Sequence, residues 1–427
     1  MKKVLVIAYY WPPSGGSGVQ RWVKMCKYLS RYGWQSVVYT PSNPALTAYD
    51  DTLQADVPAD VEVIRRPILE PGQFARKSTS AQVTPINSQK KSLKQRIAMW
   101  IRGNCFIPDP RVLWVRPSVR FLTEYLKGHP VDAIVSTGPP HSMHLIAQRV
   151  AKATGTPWVA DFRDPWTRMF YFKHLSLSQW AQKRHIKMEL SVLDDATRVV
   201  AVSPLVQADF RQATQTPVEL VTNGFDAADF PSGPRKSYSS EHFTMLHAGL
   251  FAADGNPVAL WQAAASLVRS NPAFARSFRL VLCGKTDAAV ISAIRDAGLG
   301  GNLTDLGYLD HKTVVGQMTR AGVLMLPLRR EPEYRATIPG KLFEYLAARR
   351  PVIGIGQKDG AMASILASAG AGTTFEWDAA DEMEQWLLQA FERWQQGCLD
   401  DNTADLSAYT REGLAASYAR ILNEITE

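Results

Sequence analysis

Short apolar strand-like runs alternate with stretches of helical periodicity along almost the whole chain. That alternation points to parallel α/β layers. In the first half the strand candidates are 3–9, 36–40, 61–64, 133–136, 158–161, 198–202 and 219–221. In the second half they are 243–247, 279–283, 303–306, 323–326 and 351–355. Gly, Pro, Asn or Asp follows nearly every one, as turns between elements require. A chain of 427 residues is too long for one ordinary core. The expected architecture is therefore two Rossmann-like, doubly wound α/β domains facing across a cleft. The N-terminal domain is expected over 1–230 and the C-terminal domain over 231–405. A closing helix within 406–427 is expected to pack back toward the first domain. Residues 231–240 lack apolar periodicity and read as the linker; 77–91, rich in Ser, Gln and Lys, read as a second loose segment. No repeat of solenoid period is visible.

Composition narrows the function classes. At 46% hydrophobic and 21% charged, the chain is ordinary for a globular protein, and no apolar run is long enough to span a bilayer. The apolar run at the N-terminus is short. Pro12, Pro13 and a glycine cluster stand where a signal peptide would carry its cleavage site, so a first β-strand is expected instead. Cys26, Cys105, Cys283 and Cys398 are scattered, without metal-ligand spacing or a disulfide framework, and a reducing cytoplasm fits. The net charge of +8 favours anionic partners. No nucleic-acid-binding motif is present, which leaves phosphorylated small molecules and anionic lipid. The stretch 88–102 sets cations on one side of a helical projection and Leu93, Ile97, Trp100 and Ile101 on the other. That is the pattern of a helix lying on a membrane surface, and equally of one docked on its own core.

Ligands of open parallel sheets bind beyond the C-terminal ends of the strands. Chemistry is therefore expected on the loops after Tyr9, Ser136, Asp161, His247, Cys283 and Leu326. The most informative such stretch is 337–354, which reads as a loop, a helix started by Pro339 and a buried strand. Gly340 allows close backbone approach, and Lys341 falls in the first turn, where open amides already favour an anion. Glu344 follows three residues later on the same face. One helical turn thus offers a cation to a diphosphate and a carboxylate to sugar hydroxyls; an ordinary surface Lys–Glu pair is the plainer reading. After the first strand, Gly15, Gly16 and Gly18 permit positive φ and close approach, so that amides can face phosphate or acceptor oxygens. The loop matches neither a Walker loop nor a dinucleotide fingerprint. His141 is placed at the start of a helix, which favours a neutral imidazole, whereas His144 reads as a capping or surface residue. Asp161, Arg163 and Asp164 gather at another strand end, suited to a polyol or to a structural ion pair. No metal site is expected among them.

Taken in order, these pieces resemble the family-four glycosyltransferases of the GT-B fold. Within them the chain resembles the bacterial polysaccharide-type, WbuB-like enzymes. The resemblance is carried by the glycine loop 15–18, the Ile-Pro-Asp-Pro-Arg run from 107, Ser-Thr-Gly-Pro-Pro-His at 136–141 and Asp-Phe-Arg-Asp-Pro-Trp at 161–166. Further on come Thr-Asn-Gly-Phe-Asp at 222–226, Gly249, and Pro-Gly-Lys-Leu-Phe-Glu-Tyr-Leu-Ala at 339–347. It implies a retaining, metal-independent hexosyltransferase. Such an enzyme would move a sugar from a nucleotide-diphosphate donor to a glycan or lipid-linked acceptor in surface polysaccharide synthesis.

On this resemblance the donor is held by Gly15, Gly16, Gly18, Gly249, Gly340, Lys341, Leu342 and Glu344; where the family's basic residues are missing, Arg335 or Lys285 is expected to help Lys341 balance the diphosphate. The acceptor meets Arg163 and Asp164, and His141, Asp161 and Lys341 are the catalytic candidates. Glu344 matches the carboxylate that binds the ribose. No cofactor is implied, since the nucleotide sugar is a substrate. The implied location is the cytoplasm, at the inner face of an anionic membrane. Two departures stand out. Ala336 occupies the place of a first family glutamate, and the loop after the first C-domain strand carries no basic residue. A nucleotide-sugar epimerase or a non-catalytic carbohydrate- or nucleotide-binding subunit on the same fold are the alternatives.

Overall fold

The structure, a computed structural model, describes residues 1–45, 49–70, 93–169, 172, 175–230, 241–399 and 404–427. The loose segments expected at 77–91 and 231–240 lie outside the described residues. The chain forms two compact units, Met1–Thr222 with Arg411–Glu427, and Asn223–Thr410. The units therefore divide at 222/223 and 410/411 instead of at 230/231 and 405/406. The reason is packing: Phe225 pairs with Thr410, and both Phe225 and Phe230 lie against the second unit's core.

In the first unit the strands are β1 (Lys2–Ile7), β2 (Trp34–Pro41), β3 (Glu62–Arg66), β4 (Ala133–Gly138), β5 (Trp158–Phe162), β6 (Arg198–Ala201) and β7 (Val218–Leu220). They form one parallel sheet in the order β3-β2-β1-β4-β5-β6-β7. Val4 to Ile7 are fully buried, as a central parallel strand covered on both faces must be. The winding reverses between β1 and β4, so the loops after these two strands flank a topological switch point. The helix Ser17–Leu29 buries Trp22, Val23, Met25, Cys26 and Leu29 against this sheet. The C-terminal helix Arg411–Glu424 lies on it, with Tyr418 edge-on to Trp22 at 5.3 Å between ring centres. The expected closing helix starts only at Arg411, after a separate 3-10 turn, Ser407–Tyr409.

The second unit repeats the plan with β8 (Phe243–Ala248), β9 (Phe278–Cys283), β10 (Leu303–Asp305), β11 (Val323–Pro327), β12 (Val352–Ile355) and β13 (Gly372–Phe375). Its parallel order is β10-β9-β8-β11-β12-β13, with the reversal between β8 and β11. Strand β13 is absent from the sequence expectation. It is an edge strand of Gly, two Thr and Phe, with only one large apolar residue to mark it. The helix Gly340–Ala348 connects β11 to β12. Among the described residues no helix is long and apolar enough to cross a membrane.

Candidate functional site

In the second unit the site grows from the switch point between β8 and β11. Tyr345 fixes the helix Gly340–Ala348 there, because its buried hydroxyl accepts from the Ala248 amide at 2.9 Å and faces the Met325 carbonyl at 3.4 Å. One turn earlier, Lys341 Nζ lies 3.2 Å from His247 Nε2 and 3.3 Å from the Leu250 carbonyl oxygen. Gly249 makes this approach possible. Its φ is +92°, and a Cβ there would stand 3.0 Å from Lys341 Cε and 3.2 Å from Nζ. Burial lowers the Lys341 pKa to about 8, against the raising effect of Glu344. No side chain caps the helix, whose N-cap is Pro339, and Gly340 faces open space. A half-buried ammonium beside an uncapped N-terminus suits a phosphate oxygen.

The other donor candidates divide. Glu344 lies on the same face as Lys341, with its Oε1 3.2 Å from His311 Nε2. The loop after β9 runs beside Gly249–Phe251, the Phe251 amide donating to the Lys285 carbonyl at 2.9 Å. This brings the exposed Lys285 near the site. Arg335 does not join Lys341 but pairs with Asp359 at 2.8 Å. Leu342 is fully buried in the core and its amide bonds the Pro339 carbonyl, so it has no group left for a ligand. His247 carries no signal of its own in the sequence, since it closes an apolar strand and reads as that strand's last residue.

In the first unit the glycine loop, the 138–141 turn and Arg163 come together. Of the three loop glycines only Gly16 has positive φ, +108°, at the start of the helix Ser17–Leu29. Gly15 is half-buried and does not need it. Gly18 serves close approach: a Cβ there would fall 1.8 Å from Arg163 Nη1. Arg163 donates through Nη2 to the Pro139 carbonyl and through its backbone to the Gly138 carbonyl, and lies 5.8 Å from the Tyr10 ring centre. Burial lowers the guanidinium's pKa, with Asp164 the main opposing charge. Burial in turn raises the Asp164 carboxyl, against Arg163.

His141 is 5% exposed and stacks on Trp166 at 4.6 Å with an interplanar angle of 4°. Neither of its ring nitrogens has a hydrogen-bond partner among the described residues. Burial holds its pKa well below the usual value, helped by His144, Arg163 and His185. A neutral imidazole with both nitrogens unspent can donate at one and accept at the other. The helix behind it, Ser142–Thr154, is capped from a distance, since Asp109 Oδ2 accepts from the Ser142 amide at 2.9 Å. His144 is a core residue and not a surface one. Its Nδ1 meets Ser136 Oγ at 2.8 Å, and burial lowers its pKa to about 3.

Asp161, expected among the catalytic residues, is taken up by structure. It is fully buried, and Arg21 Nη2 donates to Oδ1 at 2.8 Å while Arg21 Nε and Trp22 Nε1 donate to Oδ2 at 3.2 and 2.8 Å. Arg21 also reaches the Val221 and Thr222 carbonyls. Asp161 thus ties the end of β5 to the helix Ser17–Leu29 and to the chain leaving β7. The partner's identity was out of reach in sequence, since Arg21 stands far from Asp161 along the chain.

Residues 15–224 match the glycosyl transferase 4-like domain family. Comparison with curated proteins finds no match. Among solved structures the chain is similar to the sucrose-phosphate synthase of Thermosynechococcus elongatus, at 14% identity and TM-score 0.63, covering 100% of this chain and 99% of that one. It is also similar to WaaG, a glycosyltransferase involved in lipopolysaccharide biosynthesis, at 16% identity and TM-score 0.56, covering 98% and 99%. A third is HepE of Anabaena, solved in complex with UDP-glucose, at 15% identity and TM-score 0.57, covering 100% and 98%. At such identities the likeness is one of fold. The two parallel-sheet units are those of the GT-B fold, and with the matched domain they support a glycosyltransferase.

Proposed function

We propose that the protein is a retaining glycosyltransferase of the bacterial polysaccharide type. It moves a sugar from a nucleotide-diphosphate donor to a glycan or lipid-linked acceptor without a metal ion. The observation that carries this reading is Lys341, held over the end of β8 at the uncapped start of a helix with Glu344 one turn on. Glycosyl transfer builds negative charge on a departing nucleoside diphosphate while the sugar becomes oxocarbenium-like. A fixed cation and open amides answer that charge. Glu344 is suited to the ribose hydroxyls, on the exposed side of the same helix. The UDP-glucose bound to the similarly folded HepE supports a donor of this class. Retention follows from the resemblance to family-four enzymes.

In the first unit, the buried His141 with its unspent nitrogens and the amides of the Gly15–Gly18 loop are suited to a sugar, and Arg163 and Asp164 to the acceptor. Separate Lys341→Ala and Glu344→Ala variants should each lower donor turnover at least about tenfold. Near-wild-type rates in both would end the assignment.

A lipid-linked acceptor calls for a membrane surface. The helix Leu93–Cys105 exposes Ile97, Trp100 and Ile101, while the basic residues before it lie outside the described residues. Nearby, the helix Gln179–Asp195 exposes Trp180, Ile186 and Leu190 among Lys183, Arg184 and Lys187. Aromatic and aliphatic side chains interleaved with cations suit an anionic bilayer at the inner membrane face. Cosedimentation with anionic but not neutral vesicles is expected, and equal recovery with both would oppose it.

A further inference from the structure

The contact between Lys341 and His247 has a direction. An ammonium has only donors, so the imidazole nitrogen facing it must carry the lone pair. His247 is therefore the tautomer with hydrogen on Nδ1, an atom with no partner among the described residues. The ring is 2% exposed and lies against Phe251, with 4.3 Å between ring centres. Burial first, and then the Lys341 charge, keep it from protonating. The Leu250 carbonyl is the second acceptor, and Gly249 leaves the space that the lysine's end fills. Two acceptors engage two of the three ammonium N–H groups; the third is available to an incoming oxygen.

We propose that His247 is the positioning residue of this site. Acting through Lys341, it holds the ammonium at the start of the helix Gly340–Ala348, so that a donor diphosphate meets a cation already in place. Its relevance to a donor rests on the reading under Proposed function; the imidazole–ammonium contact does not. Long lysine side chains otherwise spread their charge over many rotamers, and fixing one before binding removes that cost from the binding step.

The arrangement also makes the grip pH-dependent. The titratable groups acting on Lys341 are Glu344 on its own helix and His247 on β8, while His311 of the helix His311–Arg320 reaches Glu344. With a free-protein pKa of about 8, Lys341 is charged below that pH and loses its charge above it. Diphosphate affinity should be full in mild acid and fall as pH rises through that value.

The test uses the full chain with two readouts. The first is the titration of Lys341 without ligand, followed by NMR of lysine labelled with carbon-13 in its side chain, the Lys341 signal being assigned by its loss in Lys341→Ala. The second is calorimetric binding of UDP, GDP, ADP and TDP, continued with whichever binds tightest. His247→Leu should depress the Lys341 titration further and weaken that nucleotide about tenfold near neutral pH. His247→Gln, whose amide oxygen can accept, should restore most of both. If the Leu variant titrates and binds like wild type with an unchanged fold, His247 positions nothing and the proposal is overturned. If the titration moves while neither His247→Leu nor Lys341→Ala changes binding, the contact stands and the donor reading fails.

Discussion

At the residue scale, Asp161 and Lys341 show how burial separates structure from chemistry. Both are charged residues at sheet ends, yet Asp161 is saturated by Arg21 and Trp22 while Lys341 keeps an open donor. Removing the Asp161 charge leaves Arg21 buried beside an incomplete partner. Asp161→Ala should therefore cost roughly 3–5 kcal/mol of stability, read by denaturant titration. A normally stable variant with lost turnover would instead restore a catalytic role. Gly18 differs, because it gives way to a side chain and not to a charge partner. Gly18→Ala drives a Cβ into the Arg163 guanidinium, which must leave its place at the Pro139 carbonyl, so acceptor KM should rise together with a measurable loss of stability. An unchanged KM would separate Arg163 from the acceptor. Residue types such as Lys341, Glu344 and His141 were legible in sequence because each sits at a strand-to-helix junction. Partners such as Arg21, His247 and Asp359 were not, because they meet the expected residues through the fold alone.

At the element scale, the central strands were readable because their residues are buried on both sheet faces, and β13 escaped because Phe375 is its one large apolar residue. The helix Ser142–Thr154 shows a limit of local reading. Its start is stabilised by Asp109, from a Pro-flanked turn far upstream, and not by a neighbouring cap. Asp109→Ala should cost about 1 kcal/mol and speed amide exchange at Ser142 and Met143. Unchanged exchange there would show that the helix start needs no such support. The glycine loop and the 138–141 turn were both anticipated as binding loops. Their meeting through Arg163 is a property of the switch point between β1 and β4, which no single segment encodes.

At the scale of the whole molecule, three buried histidines tie the first unit's stability to pH. His141, His144 and His185 are neutral in the fold, with burial lowering the last two to about 3 and about 4. Unfolded histidine binds a proton near pH 6.5, so the unfolded chain takes up more protons between that pH and the folded values. Stability is therefore kept above about pH 6.5 and declines as pH falls below it, by roughly 1 kcal/mol per histidine at about pH 5.5. The thermal midpoint should drop over that window, and His144→Asn should flatten the slope; identical slopes would remove His144 from the effect.

Two units of like topology, each with chemistry-bearing residues at its own switch point, make the account specific about where a donor binds. The most direct measurement is a calorimetric titration of the full chain and of Lys341→Ala with UDP, GDP, ADP and TDP. At least one should bind the wild type and bind the variant at least about tenfold more weakly. Equal affinity of the tightest nucleotide for both proteins would contradict it.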